Sequence, residues 1–336
     1  MLDKPDLEDA RLTSLLRDVY GLTARDLTFL PLGADPNTAV YKAVTPDATA
    51  YFVKLRRGLF DELSVRLPRY LSEHGVPHLI PVIETTSGDL WAGLEPYTVV
   101  VYPFVEGRDG YERPLSRKDW QAFGVALRRL HTLELPPDLR SRLRRETYDG
   151  SAREQVRAFL LDLDAEPADR VARQLFSLMR EHRAEVADLI NRAEGCAAVL
   201  QARAPALAVC HADLHAGNVL IGENGFYLVD WDDPILAPKE RDLMFVGGAQ
   251  GFVGTTPDEE ERLFHSGYGS VNIDPVALSY YRLERIVQDV AAFCDEIIRG
   301  PGSEAERERS LRYLASNFTA GGTLERAYAV ATEPGV

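Results

Sequence analysis

The first hundred residues combine one helical pattern with several short apolar runs. The apolar residues of the helical pattern are Leu12, Leu15, Leu16, Val19 and Tyr20, and Gly21 is placed to end the helix. Four β-rich segments follow, at 27–32, 39–44, 50–55 and 97–104. Because turn residues separate these short segments, the pattern predicts an antiparallel sheet. A helix over 61–74, which contains Pro68, is predicted between the third segment and the fourth.

Beyond residue 107 the pattern becomes mainly helical. Ser116 and Asp119 are placed to cap a helix with one apolar stripe, formed by Trp120, Phe123, Leu127 and Leu130. Helical periodicity continues to about Ala208, and a long helix is predicted from about Pro275 to Arg299. The pattern therefore predicts an α+β protein with a β-rich lobe over 1–102, a connecting hinge over 103–107 and a larger helical lobe over 108–336.

Composition and net charge exclude several classes of protein and site. The 336 residues are 45% hydrophobic and 27% charged, which is typical of a globular protein. A net charge of -14 argues against a nucleic-acid partner, because phosphate neutralisation needs basic surfaces. It suits a cationic or neutral substrate, although an acidic surface that serves only solubility fits equally well. Three widely spaced cysteines indicate neither a disulfide framework nor a zinc site. The acidic N-terminus and the lack of a 20-residue apolar run predict a cytoplasmic protein without membrane contact.

The segment HADLHAGN, followed by LVDWDD, carries the strongest chemical signal. Residues 219–221 and 226–229 read as two short strands around the turn at 222–225, which predicts a β-hairpin. If Ile221 faces Phe226, Asn218 faces Val229 and lies beside Asp230. An amide oxygen and a carboxylate then meet at one point, which suits Mg²⁺ held together with substrate phosphates.

Asp213 lies on the loop just before this hairpin. A carboxylate that is not needed for metal can accept a proton from an attacking hydroxyl. A single Asp or Asn often only stabilises a turn. The complete set of His, Asp, Asn, hairpin and Asp favours a catalytic centre instead.

These residues resemble the catalytic loop and metal-binding Asp of kinases. The form HxDxxxxN, together with the absence of DFG and APE, resembles the aminoglycoside phosphotransferase and choline-kinase branch. That resemblance implies a two-lobed, protein-kinase-like fold. It also implies Asp213 as the base, Asn218 and Asp230 as Mg²⁺ ligands, His211 as a structural support, and Asp242 as a brace for the loop backbone.

The same resemblance implies an ATP site in the first lobe. Lys54 resembles the strand lysine that binds the α- and β-phosphates. Its expected partner is Glu62, while Asp61 and Glu73 stay open because Pro68 would shorten or kink the helix.

The nucleotide contacts implied elsewhere have structural alternatives. Gly33 and Asn37 belong to a loop that would cover the phosphates, although a simple hairpin turn fits equally well. The carbonyl of Pro103 and the N–H of Val105 would bind adenine, and Leu220 and Val229 would form the floor beneath the base. Core packing explains each of these four residues as well.

Several segments, including CHADLHAGNVLIG and DWDDPILAPKERDLMFVGG, are similar to the spectinomycin phosphotransferase group of the aminoglycoside kinase family. That similarity implies phosphorylation of the 9-hydroxyl of spectinomycin, a dicationic aminocyclitol. The candidate substrate contacts are Asp232, Tyr281, Glu284 and Gln288, while a solvated helix face is the alternative for Arg285 and Asp289.

Two other functions stay open at this point. One is a kinase of the same fold for another small molecule, such as a nucleoside antibiotic or a choline-like metabolite, since fold does not fix function. The other is a non-catalytic nucleotide-binding protein, which the presence of Lys54, Asp213, Asn218 and Asp230 disfavours. A monomer or weak dimer is expected.

Overall fold

A computed structural model describes residues 4–33, 35, 37–167 and 169–330 of the chain. These residues divide into two compact units. The first holds the described residues of 1–115, 134–143 and 217–234, and the second holds those of 116–133, 144–216 and 235–336. This division places the 217–234 hairpin with the N-terminal sheet, whereas the sequence analysis assigned it to the 108–336 lobe. A hinge at 103–107 stays a prediction.

The secondary structure confirms the predicted α+β class. The strands, numbered along the chain, are β1 (Asp26–Leu30), β2 (Thr38–Val44), β3 (Ala50–Arg57), β4 (Ala92–Leu94), β5 (Tyr97–Pro103), β6 (Gly107–Asp109), β7 (Arg144–Arg145), β8 (Ala208–Cys210), β9 (Val219–Gly222), β10 (Gly225–Leu228) and β11 (Ile235–Ala237). The helices are α1 (Asp9–Tyr20), α2 (Leu63–Glu73), α3 (Arg117–Thr132), α4 (Pro137–Arg142), α5 (Ser151–Leu161), α6 (Arg170–Glu181), α7 (Arg183–Arg203), α8 (Glu240–Leu243), α9 (Pro257–Tyr268), α10 (Pro275–Arg299), α11 (Glu304–Ser316) and α12 (Thr323–Val330).

The first unit contains the predicted antiparallel sheet, in the order β1-β2-β3-β5-β4. The short strand β4 was not predicted. Helix α1 ends where predicted, because Gly21 adopts a left-handed φ of 68°. Its apolar stripe covers one face of the sheet, where Leu16, Val53 and Val99 are fully buried. Burying such a side chain stabilises the fold by about 1.5–3 kcal/mol, so the packing of α1 on the sheet stabilises the first unit.

The opposite face of the sheet carries charged side chains next to an apolar contact with helix α2. Successive strand residues point to opposite faces, so Lys54 and Arg56 lie together on the face away from α1. Helix α2 packs on this face through Val65, beside Val100. Pro68 is buried inside α2, and the helix continues beyond it to Glu73.

The predicted hairpin is confirmed with its predicted register. Phe226 pairs with Ile221, and the Val229 N–H donates to the Asn218 carbonyl over 3.0 Å. Strand β6 pairs with the outer side of β9. Only glycine fits at position 107 in this arrangement, because a Cβ there would lie 2.8 Å from the Ile221 carbonyl oxygen.

Most helices of the second unit pack around α10. The predicted helix from Pro275 to Arg299 is confirmed, and its buried face contacts α5, α6, α7, α11 and α12. The capping box of Ser116 and Asp119 starts α3 as predicted, and all four stripe residues of that helix are buried. A small sheet in the order β7-β11-β8 leads to the loop that holds Asp213. No helix in the described part of the chain is long and apolar enough to cross a lipid bilayer.

Candidate active site

The candidate residues are distributed over both units. In the second unit, the loop after β8 is held by Asp242, which is fully buried. The carboxylate of Asp242 accepts hydrogen bonds from the backbone N–H groups of His211 (3.0 Å) and Ala212 (2.7 Å), which is the contact that the resemblance implied. His211 itself is 1% exposed. The backbone next to Asp213 is therefore fixed by a buried charged group.

A histidine that the sequence analysis did not identify extends this support. His131 Nε2 lies 3.1 Å from Asp242 Oδ2, and its Nδ1 lies 2.8 Å from the hydroxyl of Tyr268. Because a carboxylate only accepts, Nε2–H donates to Asp242. The contacts of His131 with Tyr268 and Asp242 therefore tie α9 and α3 to the loop that holds Asp213.

Asp213 is contacted by two basic side chains. Arg285 Nη1 donates to its Oδ1 over 2.7 Å, and His215 Nε2 lies 3.6 Å from its Oδ2. Burial alone would raise the pKa of Asp213, but His215 and the charge of Arg285 outweigh it and hold that pKa well below its ordinary value. The Asp213 side chain is 43% exposed. It is therefore an ionised carboxylate that solutes can reach.

The sequence analysis did not identify Arg285 as a neighbour of Asp213. A solvated helix face was the alternative considered for this residue. The guanidinium also pairs through Nε with Asp289 Oδ1 at 3.1 Å and lies over the ring of Phe245 at 5.7 Å. The four-residue spacing of Arg285 and Asp289 was visible in the sequence. The contact with Asp213, 72 positions away, was not.

In the first unit, the hairpin brings Asn218 and Asp230 to its open end. Asn218 is 8% exposed, whereas half of the Asp230 side chain is exposed. Asp230 adopts a left-handed φ of 64°, which turns the chain directly after the hairpin. An amide oxygen and a carboxylate are hard donors of the kind that Mg²⁺ takes, so the residues present fit that ion.

Lys54 lies beside this open end, but without its predicted partner. Its Nζ is 3.2 Å from Asp230 Oδ1 and 3.1 Å from both Asp232 oxygens. The expected pair with Glu62 is not formed. Glu62 directly precedes α2, and its carboxylate instead pairs with Arg66 (2.9 Å) and with Arg142 of α4 (3.3 Å).

Arg56 adds a second cation that the sequence analysis did not identify. Its Nη1 is 2.9 Å from Asp232 Oδ2, and its Nη2 is 3.8 Å from Asp35. Asp232 therefore neutralises two cations within the first unit. A substrate contact for Asp232 stays a prediction.

The loop before β2 is organised by Asp35. This carboxylate accepts from the N–H of Asn37 at 2.9 Å and from the hydroxyl of Thr38 at 3.0 Å. Gly33 adopts a left-handed φ of 96° and is exposed. Residues 34 and 36 of the predicted loop lie outside the described part of the chain. The phosphate contacts predicted for Gly33 and Asn37 stay predictions.

The residues expected around adenine lie in and next to strands of the first unit. Pro103 is the last residue of β5, and Val105 lies in the segment between β5 and β6. Leu220 belongs to β9 and Val229 follows β10. All four are partly buried, so each stays a candidate contact for the base.

Two of the predicted substrate contacts are buried in the structure. Tyr281 and Glu284 are 0% and 1% exposed. The Tyr281 hydroxyl donates to Glu146 over 3.2 Å, and Glu284 pairs with Arg153, which is also buried. Both side chains project from the core-facing side of α10, so solutes do not reach them. Gln288 is partly exposed and stays a candidate.

Comparisons with known proteins extend this picture. A model described as the phosphotransferase enzyme family matches residues 26–269. A crystal structure of spectinomycin phosphotransferase, APH(9)-Ia, in complex with ADP and spectinomycin is 34% identical, with a TM-score of 0.90, over 97% of this chain and 99% of that one. Its AMP-bound complex is 33% identical, with a TM-score of 0.86, over 96% and 99%.

A more distant structure shows the fold alone. The aminoglycoside phosphotransferase from Alicyclobacillus acidocaldarius is 16% identical, with a TM-score of 0.61, over 98% of this chain and 95% of that one. A comparison with curated protein sequences found no significant match.

Proposed function

Because the chain belongs to the phosphotransferase enzyme family, we propose that it transfers the γ-phosphate of ATP to the 9-hydroxyl of spectinomycin. One observation carries the choice of substrate: a structure containing ADP and spectinomycin is 34% identical over nearly the full length of both chains. That similarity also confirms the protein-kinase-like fold and the enzyme class expected from the sequence.

We assign the role of general base to Asp213. Its ionised carboxylate accepts the proton of the attacking hydroxyl while the hydroxyl oxygen forms the bond to the γ-phosphorus. The oxygen that bridges the β- and γ-phosphates leaves with its electron pair on ADP. General-base assistance of this kind accelerates a reaction by about 10²–10⁴-fold.

The nucleotide is assigned to the first unit. Lys54 exchanges its carboxylate partners for phosphate oxygens, and the backbone of Pro103 and Val105 binds the adenine edge. Asn218 and Asp230 would hold Mg²⁺, which neutralises phosphate charge when bound. The remaining candidates for a cationic aminocyclitol are Asp232 and Gln288, which are partly exposed.

The experiment incubates the full chain with ATP, Mg²⁺ and spectinomycin. We expect ADP release that depends on spectinomycin, and a phosphate monoester at carbon 9 in ³¹P–¹H correlation spectra. Choline and a panel of nucleoside antibiotics serve as competing acceptors. Preference for one of these acceptors, with no ester formed on spectinomycin, would contradict the substrate assignment.

Asp213→Asn is the matched variant, because it keeps the shape of the side chain and removes its basicity. We expect transfer to fall by about 100-fold or more while binding of AMP-PNP is retained. Retained transfer in a folded Asp213→Asn protein would remove the assigned base.

A further inference from the structure

We propose that Arg56 is a second phosphate-binding side chain, which contacts the nucleotide phosphates that lie beyond the one bound by Lys54. This inference rests on the proposed function, because it takes the assignment of ATP to the first unit as given. The four residues that carry the inference all belong to that unit, and they are Asp35, Lys54, Arg56 and Asp232. The proposed function assigns the phosphates to Lys54, and Arg56 adds a second cation beside it.

The two cations converge on one carboxylate. Lys54 Nζ lies 3.1 Å from each oxygen of Asp232, and Arg56 Nη1 lies 2.9 Å from Asp232 Oδ2. Because Lys54 and Arg56 lie two positions apart on β3, their side chains leave the same face of the sheet. An anion at the place of the Asp232 carboxylate therefore contacts both cations at once. A phosphate group is such an anion, and it carries more negative charge than a carboxylate.

The register of β3 gives the order of the two contacts. Tyr51 pairs with Pro103, the residue assigned to adenine. Arg56 pairs with Thr98, farther along the same two strands. At about 3.3 Å per residue, Lys54 lies about 10 Å from Tyr51 along the strand and Arg56 about 17 Å from it. A nucleotide with its base at Pro103 therefore reaches Lys54 first, which assigns Arg56 to the β-phosphate of ADP and the terminal phosphates of ATP.

The Arg56 side chain is accessible to an anion from solution. It is 25% exposed and its partner Asp232 is 30% exposed. Arg56 Nη2 lies 3.8 Å from Asp35 Oδ2, which is longer than a normal hydrogen bond. A guanidinium is a planar fork of N–H donors that can bind two oxygens of one phosphate group. Arg56 can therefore exchange its ion pair with Asp232 for a bidentate contact with phosphate.

The loop before β2 ends beside Arg56. Arg56 pairs across the sheet with Thr38, whose hydroxyl donates to Asp35 Oδ2 over 3.0 Å. The N–H of the next residue, Arg57, donates to the carbonyl of Asn37 over 2.8 Å. Asp35 and Asn37 belong to the loop that was predicted to cover the phosphates. Arg56 therefore lies where this loop joins the sheet, as a contact to the outer phosphates requires.

The test measures binding of AMP, ADP and AMP-PNP to the full chain by isothermal titration calorimetry, in EDTA so that no divalent cation contributes. For Arg56→Gln we expect the Kd for ADP and AMP-PNP to rise about tenfold to 100-fold, the usual effect of losing a hydrogen bond between charged groups. The Kd for AMP should change by less than about threefold, because AMP ends at the phosphate assigned to Lys54. General damage to the site would weaken all three ligands alike.

Arg57→Gln is the matched control, because this exposed neighbour on β3 has the same charge and points to the opposite face of the sheet. We expect its three Kd values to stay within about twofold of wild type. Arg56→Lys keeps the charge without the planar fork, so it should restore part of the affinity for ADP. If Arg56→Gln does not fold, Arg56→Met takes its place, since methionine replaces the apolar part of the side chain.

Asp232→Asn tests the exchange of carboxylate for phosphate from the other side. This variant removes the charge that competes for Lys54 and Arg56, so we expect ADP to bind several-fold more tightly than to wild type. Adding Arg56→Gln to Asp232→Asn should remove most of that gain. Weaker binding of ADP to Asp232→Asn would contradict the exchange.

The same titrations distinguish this inference from the proposed function. An unchanged Kd for ADP in a folded Arg56→Gln protein, or an equal loss for AMP and ADP, would overturn the role of Arg56 and leave the ATP site standing. Wild-type protein that binds none of the three nucleotides would overturn the ATP site, and the role of Arg56 with it. Failure of spectinomycin as an acceptor would leave the nucleotide titrations intact.

Discussion

Lys54 and Arg56 lie two positions apart on β3 and share the carboxylate of Asp232. Lys54 is also paired with Asp230, a candidate metal ligand. Two cations beside two carboxylates form a nearly neutral group. On the proposed assignment of Lys54 to the phosphates, a nucleotide has to compete with Asp230 and Asp232 for this cation, so its affinity depends on the whole group and not on Lys54 alone.

Replacing Lys54 tests its assignment at the residue scale. Lys54→Met removes a charged hydrogen bond to phosphate, which contributes about 1.5–3 kcal/mol, so we expect the Kd for ADP to rise about tenfold to 100-fold. Isothermal titration calorimetry measures this change. Lys118→Met, at an exposed position of α3, is the control and should keep the wild-type Kd. Equal affinities of the two variants would show that Lys54 does not bind the nucleotide.

At the scale of elements, α3 and α9 pack with unusually close backbones. A Cβ at Gly267 would lie 1.8 Å from the carbonyl oxygen of Gln121, and one at Gly124 would lie 2.1 Å from that of Phe264. Real Cβ atoms do not approach this closely, so glycine at both positions sets the distance between the two helices. His131 and Tyr268 lie on these helices, so the spacing also preserves the support of the loop that holds Asp213.

Gly267→Ala should therefore separate α9 from α3 and destabilise the protein by about 1–3 kcal/mol or more. Thermal unfolding measures the effect as a lower Tm. Gly195→Ala in α7 is the matched control, because no atom beyond the helix's own backbone lies within 4 Å of its Cβ position. We expect the control to stabilise the protein by about 0.5–1 kcal/mol, the usual gain on replacing a helical glycine. A similar change in both variants would mean that the close approach carries no energetic cost.

The elements also show why the sequence predicted some parts of the site and not others. The capping box at Ser116 and the register that pairs Ile221 with Phe226 depend on neighbouring residues, so local patterns sufficed. The partner of Lys54 lies 178 positions away, and partner choice at that distance depends on packing. The burial of Tyr281 and Glu284 was not predicted, because helical spacing shows which residues share a face but not what covers it.

At the scale of the whole molecule, two carboxyl groups of the second unit link stability to pH in opposite directions. The pKa of Asp213 is lowered, so its contribution is present at neutral pH and is lost only in strong acid. Glu260 is 2% exposed, and burial raises its pKa from 4.5 to about 7, although the Gly247 N–H donates to it. Its ionisation therefore opposes folding as pH rises from about 4.5 to 7.

Glu260→Gln should remove this dependence. We expect the variant to gain on the order of 2–3 kcal/mol over wild type at pH 8 and much less at pH 4.5, because only the ionised wild-type group is penalised. Urea unfolding at the two pH values measures the difference. Glu259→Gln, at the neighbouring partly exposed residue, is the control and should change stability by under about 1 kcal/mol at both. An equal gain from Glu260→Gln at both pH values would contradict the shifted pKa.

The chain enters the first unit three times, and its last contribution is the hairpin of 217–234. A ribosome completes the sheet strands long before it makes β9 and β10, and β6 has no partner until then. At about 5–20 residues per second, the roughly one hundred intervening residues take on the order of 5–20 s to synthesise. The first unit must therefore persist during translation without its second sheet, which is formed by β6, β9 and β10. A fragment cut at residue 115 would lack Asn218, Asp230 and the partner strand of β6.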